Sequence, residues 1–168
     1  MKKYLIIILI GLGSGNTVNA QTAVEKRTVS SNNAVLDFPS GTTKGIILPA
    51  VETLPAAPAN GTFLFDRNDS KIKMRQNGTW VDLSATGSAS ALVPFSGTAN
   101  SNKKTVIGAR ESAADGVLVL ESSNKALVLP HISNPHLSVK SPQAGMMCYD
   151  TNRKAVAFFD GLVWNYWK

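Results

Sequence analysis

Two short polar stretches, Asp66-Arg67-Asn68-Asp69 and Asp150-Thr151-Asn152, are the first places in this sequence where chemistry could sit. A calcium ion takes six to eight hard oxygens, and clustered Asp and Asn side chains are one source of them. The EF-hand order also needs a glycine at its sixth position and a bidentate glutamate at its twelfth. Neither stretch has them, and Arg153-Lys154 follows the second where more acid would be required. Asp and Asn are equally turn formers, because their side chains bond the backbone two residues on. Turns are the expectation. His131, His136 and Cys148 complete no zinc ligand set at a recognisable spacing. No histidine stands beside a nucleophile, and no G-x-S-x-G elbow occurs. The sequence therefore points away from catalysis, cofactors, metals and small-molecule substrates.

Two surface chemistries remain as candidates. Lys71, Lys73 and Arg75 alternate with Ile72 and Met74, which puts three cations on one face of a strand. Such a row suits a polyanion, although lysines also protect an edge strand from pairing with other chains. Phe159, Tyr166 and Trp167 are candidate contact aromatics, for a subunit or a carbohydrate, if they are exposed together.

The elements that must carry these residues are written twice. Gly61, Asp66 and Trp80 recur as Gly145, Asp150 and Trp164, with the same spacings of 5 and 14 residues. Leu48-Pro49 recurs as Leu129-Pro130, and "VLDFPSGTTKGIILP" (35–49) answers "VLVLESSNKALVLP" (117–130). The units run over Asn33–Leu83 and Asp115–Trp167.

Each unit reads as β. Short apolar runs are separated by Ser, Gly, Thr and Lys, and Pro49 and Pro130 are expected to close a strand because proline cannot donate to a ladder. Pro- and Ala-rich loops follow. Then come hairpins whose turns are expected at Asn77-Gly78 and Asp160-Gly161, since a type I′ turn needs positive φ at both central residues. Asp-to-Gly spacing differs by one between copies while Asp-to-Trp does not, so Trp80 and Trp164 are expected on the same face. Tyr149, Phe158 and Trp164 are the expected core of the second hairpin. The chain is expected to be all-β and hairpin-rich, with Thr22–Asn32 fraying.

The first twenty residues, "MKKYLIIILIGLGSGNTVNA", have a basic start, a nine-residue apolar run (Tyr4–Leu12) and Val18-Asn19-Ala20 as a cleavage site. That order is expected to be a secretory signal peptide, too short to span a bilayer. The expected division is 1–20 signal peptide, 21–83 first unit, 84–94 a small-residue linker ("SATGSASA" at its start) and 95–168 second unit. A net charge of +6 falls by two when Lys2 and Lys3 leave, far from a nucleic-acid-binding composition. With one cysteine no intrachain disulfide forms, so a core or an oligomer must hold the exported chain.

The order of these motifs resembles a repeat of bacterial secreted and cell-surface proteins and of phage tail-fibre proteins. In it a Leu-Pro segment precedes a glycine, Tyr-Asp-Thr, and Asn-Gly with a following Trp. Matching positions are Pro49, Gly61, Asp66, Gly78 and Trp80, and again Pro130, Gly145, Asp150, Gly161 and Trp164. Two features depart from it. The arginine after Leu-Pro is replaced by Ala50 and His131, and Arg75 stands where Phe159 keeps an aromatic. The resemblance implies an extracellular, non-enzymatic β module with structural motif residues, acting in assembly or adhesion. Its partners would be copies of itself, a trimer being conceivable, or a cell-surface glycan. The alternatives are a soluble glycan- or polyanion-binding module and a small outer-membrane barrel, the latter disfavoured by strands shorter than a membrane requires.

Overall fold

The computed structural model describes residues 21–92 and 104–168. The expected signal peptide (1–20) and the end of the expected linker (93–94) lie outside them. The chain is all-β, with one four-residue helix, α1 (Pro135–Ser138), among the described residues. In the first half the strands are β1 (Thr22–Ala23), β2 (Ala34–Asp37), β3 (Ile46–Ile47), β4 (Ala50–Val51), β5 (Phe63–Asp66), β6 (Lys71–Gln76) and β7 (Thr79–Asp82). In the second they are β8 (Thr105–Ile107), β9 (Leu118–Leu120), β10 (Ala126–Leu127), β11 (His131–Ile132), β12 (Met146–Asp150), β13 (Ala155–Phe159) and β14 (Trp164–Trp167).

Two four-strand paths organise the molecule, β4-β5-β6-β7 and β11-β12-β13-β14. Each opens with a short parallel bridge and continues as two antiparallel hairpins. Register agrees as well: Val51 pairs Asp66 as Ile132 pairs Asp150, and Arg75 pairs Trp80 as Phe159 pairs Trp164. Gly61 and Gly145 both have positive φ, 86° and 87°, a conformation that costs a side chain and not glycine. Their N–H groups donate to Arg75 and Phe159 carbonyls, each at 2.8 Å.

Pro49 and Pro130 follow the ends of β3 and β10 as expected, and new two-residue strands, β4 and β11, start at the next residue, where the proline carbonyls accept from Phe65 and Tyr149, both at 2.9 Å. Two other sequence expectations are corrected here. Asn77 and Gly78 have the positive φ of a type I′ turn (48° and 74°), but Asp160-Gly161 is no two-residue turn. The loop joining β13 to β14 is longer, and the Asp160 carboxylate accepts the N–H groups of Leu162 (2.9 Å) and Val163 (2.8 Å). Thr22–Asn32 is tied down: β1 pairs β2 in parallel, and Lys26 reaches Asp37 at 2.9 Å.

The halves interlock. β3 of the first half pairs antiparallel with β12 of the second, and β10 of the second pairs parallel with β2 of the first. The main core lies between the two four-strand paths. Phe65 and Ile72 are wholly buried there with Leu48, Leu83, Met147 and Phe158, and Phe63 stacks on Phe158 at 6.4 Å. Residues 84–92, expected as a linker, are held in place. The Ser88 N–H donates to the Asp160 carbonyl at 2.8 Å, and Ala89 and Leu92 pack on the core. A Cβ on Gly161 would lie 1.9 Å from the Ser88 carbonyl oxygen, so the second hairpin turn accepts this segment only as glycine.

Candidate assembly surface

Side chains alternate across a strand, so each four-strand path has a face toward the main core and a face away from it. On the outer face of the second path Phe159 and Trp164 lie side by side, ring centroids 5.5 Å apart. Together with Tyr166 and Val139 they pack on a smaller core of Ile132, Met146, Cys148 and Ala157. Trp164 is therefore half-buried and outside the main core, and Tyr149 is half-buried too; of the three expected core residues only Phe158 is buried. The expectation of Trp164 as a fully buried residue of the second hairpin is thus corrected. The loop carrying α1 instead provides a second, smaller place for an indole.

Asp150 pins that loop. Its Oδ1 accepts the N–H groups of Asn134 (3.2 Å), Asn152 (2.9 Å) and Arg153 (3.2 Å), and the Arg153 guanidinium reaches Oδ2 at 3.3 Å. Burial alone would raise its pKa, but these donors outweigh it and hold the carboxyl below the ordinary range. Arg153 also lies over the Tyr166 ring at 4.4 Å. Asp66 does the smaller version of this job, accepting the Asn68 N–H at 3.0 Å. These are turn geometries. Among the described residues, no three His, Cys, Asp or Glu side chains come together as a metal-binding group.

The cation row of the first path is matched by acid. Lys71 pairs with Asp82 at 2.6 Å, and Lys73 reaches Asp69 (2.5 Å), Asp82 (3.2 Å) and Asp66 (3.6 Å). Arg75 covers the Trp80 ring at 5.7 Å. The pattern of alternating cations was legible in the sequence; the aspartates brought beside it by strand pairing were not.

Trp167 belongs to a different surface from Phe159 and Tyr166, which corrects the expectation of one aromatic patch. Tyr166 and Trp167 are consecutive in β14 and point to opposite faces. Register places Trp167 beside Val156, Val156 beside Tyr149, and Tyr149 beside His131, one row across all four strands. His131 and Tyr149 rings lie 5.3 Å apart. Next to them opens a cleft of about 430 Å³ lined by Leu127, Val128, Leu129, His131 and Tyr149. The row is on the core side of the second path, yet Trp167 is 48% exposed and His131 is exposed.

That row, exposed at His131 and Trp167 and half-buried at Tyr149 and Val156, lies within the stretch that comparison with known families singles out. Residues 106–168 match the phage tail like trimerisation region. The trimerisation-region match takes in β9 to β14 and α1, hence the whole row, both cleft walls and the smaller core. It supports a relationship to phage tail-fibre-like proteins. No curated protein matches the chain, and no solved structure does.

Proposed function

We propose that this chain is an exported structural module of the tail-fibre type, built of two related β units and working as a homotrimer at the cell surface. The observation that carries the reading is the match of residues 106–168 to a trimerisation region, on a part of the fold that leaves Trp167 48% exposed at the end of a partly buried apolar row. Such a match suggests a structural role and no catalysis. A second reading, adhesion through a glycan, is favoured by the ring pair of His131 and Tyr149, in one row with Trp167, since flat aromatic surfaces suit sugar rings.

Molar mass in solution, by light scattering on the eluting protein, tests the trimer. The exported chain should give three times the mass of one chain, and a single-chain mass at micromolar concentration overturns the reading. Intact-mass analysis of the same material should show Gln21 at its N-terminus; a retained Met1 overturns the export part.

A further inference from the structure

Within one chain, the second unit covers the first. Phe65, Ile72 and Leu83 of the first path are buried by Met147 and Phe158 of the second. The join is stitched by backbone: Ile46 pairs Met147, Ile47 pairs Met146, and the Leu48 N–H donates to the Gly145 carbonyl at 3.0 Å. The row Tyr149, Val156, Trp167 occupies in the second path the register positions of Phe65, Ile72 and Leu83 in the first. It has the same apolar character but is covered only in part: Val156 packs on the edge of the main core, Tyr149 is half-buried and Trp167 is 48% exposed. Leu127 to Leu129 correspond to Ile46 to Leu48 in the Leu-Pro alignment, and they line the cleft beside that row. Each part of the joint between the two units is thus present a second time; the Leu127–Val128 segment is bonded to β2 along one edge and is outermost in that sheet.

We propose that the first unit of a second copy of this chain takes that place. It would cover the Tyr149–Trp167 row with Phe63 and Met74, which correspond to Met147 and Phe158 and are only partly buried in one chain. The Val128 and Leu127 backbone of one copy would pair with Thr62 and Phe63 of the next, as Ile47 and Ile46 pair with Met146 and Met147. The contact is heterologous, a different surface on each partner, and such contacts close into rings when the rotation permits. Closure after three copies is what the trimer reading requires of this contact. The inference rests on the trimer reading above and adds which surfaces meet. A second copy is favoured over a sugar because the covering residues, the row and the stitching segment all have worked counterparts inside the chain.

The test uses two full-length variants, Thr62→Cys and Val128→Cys, each also carrying Cys148→Ala. Refolded together and oxidised, they should form a covalent dimer on a denaturing gel, while either variant alone should not. In parallel, Trp167→Glu should shift the solution mass from three chains to one with an unchanged circular-dichroism spectrum. Leu137→Glu, 74% exposed on α1, should leave the trimer intact. A trimeric wild type with no cross-link and a trimeric Trp167→Glu overturns the surface and leaves the trimer reading standing. A monomeric wild type overturns both. A Trp167→Glu protein that stays trimeric but loses binding on a glycan array assigns the row to a saccharide and overturns the proposal.

Discussion

The Asp150 carboxylate accepts the backbone N–H of Asn134 at 3.2 Å, joining the loop before α1 to the turn after β12. Asn134 itself is left-handed (φ 49°), so the loop is held there by its bonds and not by backbone preference. Asp150 is fully buried and satisfies two further N–H groups in its own turn. Asp150→Ala would leave these donors without an acceptor. The expected loss is about 3 kcal/mol, read as a lower urea midpoint, because unsatisfied buried donors each cost about 1–3 kcal/mol. A midpoint within error of the wild type would remove the aspartate from the account of the fold.

Phe158 and Trp164 separate the two cores. Phe158 is 1% exposed between the four-strand paths, whereas Trp164 is half-buried on the outer face. Truncating a buried Phe costs about 3–5 kcal/mol. Phe158→Ala should therefore lower the melting temperature more than Trp164→Ala, which removes a larger side chain. A larger loss from the tryptophan would restore the assignment suggested by size alone.

The strand pairs of the two hairpins were legible because local signals set them: apolar alternation, Asn77-Gly78, and the repeated Gly, Asp and Trp. Which face of each hairpin meets the main core was not. That choice depends on β3 crossing to β12 and β10 crossing to β2, contacts between residues far apart in sequence that no local pattern encodes. The parallel bridges β4 and β11 were missed for a related reason. Two-residue strands after a proline carry no periodicity, and their partners lie across a long loop. Of the surface candidates, Trp167 was marked by its type. Its neighbours His131, Tyr149 and Val156 could be found only from register.

Cys148 offers a readout of the smaller core. It is fully buried beside Asp150, and burial together with that carboxylate pushes its thiol pKa up to about 12. The thiolate is the reactive form, so the folded protein at neutral pH should resist a thiol reagent such as Ellman's. One equivalent should react after unfolding in guanidinium. Rapid labelling of native protein would mean that the outer face opens readily.

Acid should loosen the molecule through Asp37. This carboxylate is 1% exposed at the end of β2 and is bonded by Lys26 at 2.9 Å, by the Phe38 N–H at 2.9 Å and by the Ser30 N–H. Burial opposes its ionisation, but the Ser30 and Lys26 donors prevail and lower its pKa from 3.8 to about 2. A depressed carboxylate contributes stability above its unfolded pKa and loses it as pH falls through the folded one. The contribution, about 2 kcal/mol, is thus intact at pH 5 and above and disappears between about pH 4 and pH 2. Asp82 and Asp150 are lowered as well and act in the same direction. Urea midpoints should be flat from neutral pH to about pH 5 and then fall. Asp37→Asn should start lower and fall less, since its amide cannot titrate. An equal acid-induced fall in both proteins would show that Asp37 does not carry the effect.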